Sequence, residues 1–393
     1  MPTILERSQA IGPQIVAWRR DFHQHPELGF METRTAERVA QVLQSLGCQV
    51  RRGVGGTGVL GELGSGGRLV ALRADMDALP IQEANVVPYA SQNPGVMHAC
   101  GHDAHTAMLL GTAQLLSRET LPGRVRFIFQ PAEEVADEEG LSGAQRMIQN
   151  GAMQEVEAII ALHVDASQPV GNIEVDDGPN SAGVDTFYAT IIGRGGHGAA
   201  PHKVIDPIYI AGHVILALHG IVSRRLHPTE PAVVSIGSIR GGDASNVIPE
   251  RVKISGTIRF MSQAVQEKIH QEIERALQIA TALGGNYELK IELGNPPSFN
   301  NPQVADLIRA TAQNLLGKEH VLVSKPEMGA EDFGLLAIQA PGAMFYLGAR
   351  IEGDERRHHS PRFDIDEGCL PLGSALLAES ALRYLTDGLG EAS

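Results

Sequence analysis

The stretch that decides the fold reads RLVALRADMD and spans residues 68–77. Its apolar run, 68–72, is short and lacks the spacing of a helix, so it predicts a buried β-strand that ends near Asp75 and Asp77. Similar patterns surround it in the first half of the chain and predict helices over 11–22, 32–46 and 104–116 and strands over 125–129 and 158–162. Apolar strands that alternate with helices indicate an α/β fold, a mostly parallel sheet with helices on both faces.

The pattern changes near residue 183, where two β-then-α passages begin. They predict strands over 185–193, 233–239, 252–260 and 287–293 and helices over 206–226 and 262–283. The segment 294–302, GNPPSFNNP, is typical of a linker, and the first pattern resumes after it. We therefore predict a discontinuous domain, 1–183 and 296–393, that is interrupted by an inserted α+β domain over 184–295.

Composition narrows the class of protein. The 393 residues are 43 % apolar and 20 % charged, as in soluble globular proteins, and the length favours two domains. A net charge of −14 argues against a nucleic-acid partner, which needs clustered Lys and Arg. The N-terminal sequence lacks the apolar core of a secretory signal, and no uninterrupted apolar run reaches the roughly 18–20 residues of a membrane span. Three widely spaced cysteines, Cys48, Cys100 and Cys369, argue against a disulfide framework, so we expect a cytoplasmic protein.

Reactive side chains follow the predicted strands at the point where each strand ends. They are Asp75 and Asp77 after the first strand, Glu133 and Glu134 after the second, His163 after the third, and Cys100 and His102 in the loop before the helix 104–116. In open parallel sheets ligands bind beyond the carboxyl ends of the strands, so we expect these segments to meet at one edge. Cys, His, Asp and Glu that converge in this way indicate a metal site.

The loop before the helix 104–116 admits more than one interpretation. Taken alone, Cys100 is more typical of a small buried apolar residue. The nearby His102 and the N-terminus of the helix favour a thiolate, and together they predict Cys100 and His102 as metal ligands. Asp103 is predicted to cap the helix. For His98 and His105 two interpretations stay open, as partners of the metal ligands or as polar loop residues.

The pair Glu133-Glu134 could be two surface acids, but it follows an apolar strand and a proline. Adjacent side chains in extended chain point in different directions, so one glutamate can bind metal while the other acts as a general base. His163 alone would be a buried structural histidine, and its place beside the glutamates favours a ligand. In the inserted domain, His197 on a glycine-rich turn could polarise a carbonyl, and Arg259 could hold a carboxylate or form a surface ion pair.

Ten segments in the same order resemble the aminoacylase, hippurate hydrolase and indole-acetyl-amino-acid hydrolase family of binuclear metallo-amidohydrolases. The segments are DFHQHPELGF (21–30), RADMDALPIQE (73–83), HACGHDAHTA (98–107), FQPAEE (129–134), ALHV (161–164), GRGGHGAAPH (193–202), NVIPE (246–250), GTIRF (256–260), EMGAEDFG (327–334) and HHSPRFD (358–364). One such segment would be weak evidence, but ten in order are specific and cover nearly the whole chain. The resemblance implies a zinc-exopeptidase-like catalytic domain and an inserted domain that mediates dimerisation.

The resemblance also implies a role for each matching residue. The ligands of two divalent metal ions are Cys100, His102, Glu134, His163 and His359. The general base is Glu133, Asp77 orients a metal ligand, His197 polarises the carbonyl in the site of a partner subunit, and Asn246 and Arg259 hold the substrate carboxylate. The implied reaction is hydrolysis of a small-molecule N-acyl-L-amino acid, hippurate-like or N-acetyl, by a homodimer or a dimer-based oligomer. Glu133 would take a proton from water and return it to the leaving amine.

Some assignments stay open. His359 precedes the Ser-Pro step as the family ligand does, although His358 adjoins it, and Asp75 stands where more distant relatives have a metal-binding histidine. The stretch 135–140 is longer and more acidic than in the family, which leaves the preferred acyl group and amino acid open. The metal could be Zn²⁺, Mn²⁺ or Co²⁺. The alternatives are a dipeptidase or carboxypeptidase on the same scaffold and a non-catalytic metal-binding derivative of the fold.

Overall fold

The structure is a computed structural model that describes residues 2–323 and 327–390. Within them the α-helices are α1 (Ile4–Ala10), α2 (Gly12–Gln24), α3 (Thr33–Ser45), α4 (His102–Leu116), α5 (Gly143–Gln149), α6 (Pro207–Arg225), α7 (Gln263–Ala282), α8 (Pro302–Leu316), α9 (Phe333–Gln339) and α10 (Cys369–Asp387). The β-strands are β1 (Gln49–Val54), β2 (Gly58–Gly64), β3 (Leu69–Asp75), β4 (Arg124–Gln130), β5 (Ala158–Pro169), β6 (Ile173–Glu174), β7 (Gly178–Ile192), β8 (Gly196–His197), β9 (Ala232–Arg240), β10 (Val247–Ile248), β11 (Arg251–Phe260), β12 (Asn286–Leu293), β13 (Ser298–Asn300), β14 (Val321–Leu322), β15 (Glu327–Ala330) and β16 (Gly342–Arg350).

These residues divide into two compact units. Unit 1 contains residues 2–180, 299–323 and 332–390, and unit 2 contains residues 181–298 and 327–331. The segment predicted as an insertion, 184–295, lies inside unit 2. The catalytic role of the discontinuous domain and the dimerising role of the insertion stay predictions.

Unit 1 is built on one sheet with the strand order β1-β2-β4-β3-β5-β16-β6-β14. Its centre is parallel, because β3 pairs in parallel with β4 and β5, and β5 pairs in parallel with β16. One edge is antiparallel, since β2 pairs with both β1 and β4 in that sense. The expected α/β sheet, mostly parallel, is confirmed.

Alternate residues of the central strands pack on opposite faces of this sheet. In β3, Val70 and Leu72 belong to the large core that α2, α3, α4, α8 and α10 cover, whereas Leu69 and Ala71 belong to a second core with α5 and α9. Both faces are therefore apolar, which explains why these strands are continuous apolar runs instead of alternating ones.

Helix α4 is buried on almost every side and packs closely against α10. A Cβ atom at Gly373 of α10 would meet Sδ of Met108 at 2.2 Å, and one at Gly111 of α4 would meet Oγ of Ser374 at 2.6 Å. Glycine at both positions lets the two helices approach closely. The first residue of α4, His102, is thereby held in the interior at the edge of the sheet.

Unit 2 contains an antiparallel sheet of order β12-β7-β11-β9, with β13 and β15 also paired to β7. Helices α6 and α7 pack on it through a separate apolar core that includes Val214, Ile254 and Ile269. By length and composition, α6 is also the one helix of the described residues that could cross a membrane, although a core helix of a soluble protein passes the same test. His213 and His219 lie within its apolar sequence. The expectation that the protein has no membrane partner stays a prediction.

Candidate metal centre

The carboxyl ends of the parallel strands deliver polar side chains to one edge of the unit 1 sheet. β3 ends at Asp75, β4 ends shortly before Glu133, and β5 carries His163 opposite Tyr346 of β16. The loop with Cys100 reaches the same edge, because its Sγ atom lies 3.5 Å from Nε2 of His163.

Cys100, His102 and His163 form one group of candidate ligands, with one donor atom of each within 4.8 Å of the others. Nδ1 of His163 donates to its neighbour's carbonyl, Val164 O, at 2.8 Å, which directs Nε2 to the group. Gly101 lies between two of the ligands with φ +97°, and a Cβ atom there would meet Cγ2 of Val164 at 2.4 Å. Glycine is therefore needed for the turn that presents both Cys100 and His102.

A second group consists of Cys100, Glu134 and His359. Nε2 of His359 lies 3.3 Å from Sγ of Cys100 and 3.1 Å from Oε1 of Glu134. His359 has φ +58°, an uncommon conformation for a residue other than glycine, and its N–H donates to Ala99 O at 2.8 Å. His358 also lies beside these residues: its Nε2 accepts from Ala166 N at 3.3 Å, its ring lies 5.4 Å from that of His163, and its side chain contacts Cys100. Of the two histidines, His359 is the one grouped with other candidate ligands within 4.8 Å among the described residues, and its assignment as the ligand stays a prediction.

Asp77 links the two groups. One carboxylate oxygen, Oδ1, lies 3.1 Å from Nδ1 of His102, and the other accepts from Glu134 N at 3.0 Å. The carbonyl of Asp77 also accepts from Nδ1 of His102 at 2.9 Å. The proton of His102 is therefore held on Nδ1, and its Nε2 atom is the one available to a metal.

Asp75 is engaged with two partners of its own. It accepts from Nη1 of Arg73 at 2.7 Å and from Nδ1 of His105 at 2.6 Å, and all three side chains are buried. Nε2 of His105 accepts from Val164 N at 3.0 Å, next to His163. Of the two interpretations of His105, the structure favours a partner of the ligand shell, because its ring joins Asp75 to the strand that carries His163.

The prediction that Asp103 caps α4 is wrong. The helix begins one residue earlier, at His102, and its N-cap is Gly101. Asp103 lies within the first turn, where it accepts from Nε of the buried Arg19 at 2.8 Å and from Nδ1 of His23 at 2.7 Å. A buried guanidinium is a stronger partner than a backbone N–H group, and its charge helps to hold the pKa of Asp103 far below the usual range despite the opposing effect of burial.

His98 is completely buried, and neither ring nitrogen forms a hydrogen bond with the described residues. Burial lowers its pKa to about 4. Its ring lies 6.4 Å from that of His23. His98 is therefore neither an exposed loop residue nor a hydrogen-bonded partner of the candidate ligands.

The strand β4 leads into a turn that separates the two glutamates. Ala132 has φ +46°, and its carbonyl accepts from Gly143 N at 2.9 Å. After this left-handed residue, donor atoms of Glu133 and Glu134 lie together with one of His102 within 4.8 Å. Both glutamates thus face the cluster, which excludes the surface-acid interpretation.

The donor set suits a divalent cation. A thiol, imidazoles and carboxylates converge, and Nε2 of His102 is buried without a hydrogen bond to any of the described residues. Burial raises the pKa of the Cys100 thiol, but the charge of His163 and the contacts with the neighbouring histidines outweigh that effect and hold the pKa well below the usual range. A thiolate is the form that binds a metal, so the residues present fit one.

One arginine pairs with two acids of the stretch after Glu134. Arg146 of α5 pairs with Asp137 and also with Glu139 at 2.7 Å. Asp137 additionally accepts from Glu139 N and Leu141 N, at 2.9 and 3.0 Å, which closes the stretch into a turn. Two of its acids are thus structural.

The remaining predicted residues lie in unit 2. His197 on β8 pairs with Val247 on β10, and Gly198 N donates to Asn246 O at 2.8 Å, so His197 and Asn246 lie on one short ribbon. Arg259 lies on β11, where its guanidinium donates to Thr257 Oγ1 and to Ile258 O. Partial burial lowers the pKa of Arg259, and the described residues show no carboxylate paired with it. The surface ion pair considered for Arg259 is therefore not found among them.

Three buried residues around the centre are not among the residues predicted from the sequence. Arg19 pairs with Asp103 and Asp364, each at 2.8 Å, and Arg73 joins Asp75 to Gln130. Glu32 accepts from Ala132 N at 2.8 Å. Of these three, only Arg73 could be recognised from the sequence. It is a charged residue inside an otherwise apolar strand, and a buried charge indicates a buried partner.

Comparison with known proteins agrees with this geometry. Residues 71–383 match the family described as Peptidase family M20/M25/M40. The chain is 40% identical to the thermostable carboxypeptidase 2 of Saccharolobus solfataricus (94% of this chain and 95% of that protein) and 39% identical to the N-acetyl-L-cysteine deacetylase of Bacillus subtilis (95% and 87%). It is also similar to the crystal structure of the Bacillus subtilis YXEP protein, a dinuclear metal binding peptidase from the M20 family, with a TM-score of 0.84 and 35% identity over 96% of this chain and 99% of that one. The predicted hydrolase class is confirmed, and the chain belongs to peptidase family M20/M25/M40.

Proposed function

We propose that the protein is a metal-dependent amidohydrolase that cleaves N-acyl-L-amino acids into a carboxylate and a free amino acid. The observation that carries the proposal is the position of Glu133 beside two ligand groups that share Cys100. A carboxylate next to a two-part ligand cluster is the arrangement that hydrolysis by an activated water requires.

Two divalent ions, Zn²⁺, Mn²⁺ or Co²⁺, would be held by five residues, namely Cys100, His102, Glu134, His163 and His359. When bound, such ions lower the pKa of water and polarise a carbonyl oxygen. Asp77 supports Glu134 as a ligand, because it holds that residue's N–H, and Glu134 Oε1 lies 3.1 Å from His359. Glu133 is then the residue left to act as base.

Glu133 would accept a proton from the attacking water and pass it to the leaving amine. As the family resemblance implies, His197 would stabilise the oxyanion in the site of a partner subunit, and Asn246 and Arg259 would bind the substrate carboxylate. Arg259 supports this assignment, because the side chain is half-buried yet has no carboxylate partner among the described residues. A carboxylate of the substrate would supply that partner.

The deacetylase relative supports an N-acyl amino acid as the substrate class. The carboxypeptidase relative supports a second candidate, the release of a C-terminal amino acid from a peptide. Both substrates carry a free carboxylate, so the residues that bind it do not separate them. N-acetyl, N-benzoyl and free dipeptide substrates tested side by side would do so, and faster turnover of free dipeptides would favour the second candidate.

The variant Glu133→Gln tests the base. Gln keeps the shape and removes the proton acceptor, so we expect metal content near that of the wild type and a loss of turnover by orders of magnitude on acyl amino acids. Metal content is measured by elemental analysis and turnover by amine release. Normal hydrolysis by this variant would show that another group is the base.

Dimerisation and a cytoplasmic location stay predictions. The apolar side chains of Tyr209 and Leu216 on α6 and Ile239 on β9 are exposed on unit 2, which supports a second copy as their cover.

A further inference from the structure

Glu32 is a fully buried glutamate that the proposed chemistry does not use. It lies at the N-cap of α3, yet its side chain makes no capping hydrogen bond there. The first N–H groups of α3 are instead satisfied by Glu27, which accepts from Arg34 N at 3.1 Å and Thr35 N at 2.8 Å. Glu32 is thereby free of the helix that it precedes.

The carboxylate of Glu32 reaches the turn that carries the two site glutamates. Oε1 accepts from Ala132 N at 2.8 Å, and Oε2 accepts from the hydroxyl of Thr57. Ala132 is buried and left-handed, with φ +46°, a strained conformation for alanine. Such a conformation persists only where its surroundings hold it, and Glu32 holds the one backbone donor of this residue.

The segment around Glu32 also packs directly on this turn. A Cβ atom at Gly29 would meet Cγ2 of Val135 at 2.4 Å and Cα of Ala132 at 3.1 Å. On the other side, Glu27 O accepts from Ala78 N at 2.8 Å, next to Asp77. The segment 27–32 therefore contacts both the end of β3 and the turn after β4.

We infer that Glu32 is a positioning residue: its carboxyl group fixes the Ala132 turn, and through it the separation of Glu133 from Glu134. The requirement is for an acceptor at Oε1 rather than for a charge. The inference rests on the proposed function for the roles of the two glutamates, but not for the substrate.

Two variants test this requirement in the full-length protein. Glu32→Met keeps the volume and removes the acceptor, whereas Glu32→Gln keeps an acceptor for Ala132 N. We expect Glu32→Met to bind Zn²⁺ or Mn²⁺ at least tenfold more weakly than the wild type. Its kcat should fall, whereas its KM should change less. We expect Glu32→Gln to stay within about threefold of the wild type in both, since one neutral acceptor replaces another. Metal affinity is measured by competition with a chromophoric chelator and turnover on N-acetyl amino acids.

Glu272→Met is a matched control, because Glu272 is a buried glutamate of unit 2 that pairs with Lys268 and Arg275, each at 2.9 Å. It should lower the melting temperature without changing metal affinity. If Glu32→Met does not fold, Thr57→Val removes the hydroxyl that orients the Glu32 carboxyl group through Oε2. Ala132 N then meets a less well oriented acceptor, so a smaller loss of metal affinity is expected.

The inference would be overturned if Glu32→Met kept the metal affinity of the wild type, or if the Met and Gln variants lost equal affinity. If Glu32→Met fails to fold, an unchanged metal affinity in Thr57→Val would overturn it. Weaker metal binding by Glu32→Met in a protein that cleaves no acyl amino acid would leave the inference standing and overturn the proposed function.

Discussion

The contacts of Asp77 make the substitution Asp77→Asn an informative test of the metal centre. The carboxylate holds two donors at once, His102 Nδ1 at 3.1 Å and Glu134 N at 3.0 Å. Asparagine has one oxygen, so its NH₂ group must face one of these two donors. If it faces His102, it favours the tautomer with the proton on Nε2, the atom that a metal needs.

The size of the effect follows from these two bonds. A hydrogen bond to a charged group contributes about 1.5–3 kcal/mol, and one of the two is lost. Because 1.4 kcal/mol corresponds to a factor of ten in an equilibrium constant, metal affinity should fall about ten- to hundredfold. The carbonyl of Asp77, which also accepts from His102 Nδ1 at 2.9 Å, keeps the ring in place and should prevent a larger loss.

The assay is metal titration against a chelator of known affinity, on protein first stripped of metal. Asp185→Asn is the matched control, because Asp185 is a buried aspartate of unit 2 that pairs with His270 at 2.7 Å and accepts from Gly294 N at 3.1 Å. It has the same kind of partners away from the candidate ligands, so its variant should lose stability but not metal affinity. Unchanged affinity in Asp77→Asn, or an equal loss in Asp185→Asn, would refute the reasoning.

Two further predictions concern stability. Arg19→Met should lower the free energy of unfolding by about 3–5 kcal/mol in urea titrations, because it leaves Asp103 and Asp364 buried without their cation. Arg20→Met, at an exposed ion pair, should lower it by less than about 1 kcal/mol. Equal effects of the two substitutions would contradict this prediction. Burial and the nearby charge of Asp77 raise the pKa of Glu32 to about 7 from 4.5, so its contribution is fully present below about pH 4.5 and is lost as the pH rises through 7. Metal-free Glu32→Gln should therefore gain stability over the wild type between pH 5 and 8, by at most about 3 kcal/mol, and a difference that is constant with pH would exclude this titration.

The central strands and the residues at their ends could be predicted from the sequence. Strands buried on both faces appear as continuous apolar runs, and β3 and β4 lie where those runs predict them, whereas β5 begins as predicted at Ala158 but continues through His163 to Pro169. Parallel pairing then brings their carboxyl ends together, so the structure places Cys100, His102 and His163 in one group. The spacing of the residues did not predict His359, because it lies far along the chain from the other ligands. Only the family resemblance indicated it.

Other elements carry no such signal. β1 is mostly exposed, β2 contains three glycines among its seven residues, and α10 contains Pro371 and Gly373 near its start, so none of them has a clear apolar period. The correction at Asp103 has a similar cause. Local preferences predict that an aspartate at a helix start caps that helix. The partner of Asp103 is instead Arg19, 84 residues away, and an ion pair between such distant residues cannot be recognised from their spacing in the sequence.

Glu27 and Glu32 show where such rules reach their limit. Both acids precede α3, and Glu32 is the nearer to the first N–H groups of the helix. In the structure the more distant acid, Glu27, accepts from the N–H group of Thr35 in the first turn of α3, whereas the side chain of Glu32 accepts from Ala132 N. This arrangement is possible because the chain between them folds back over the turn after β4, a contact set by the tertiary fold. Metal ligands are recognisable because few residue types can bind a metal, whereas any buried acceptor can orient them, so the orienting residues become visible only in three dimensions.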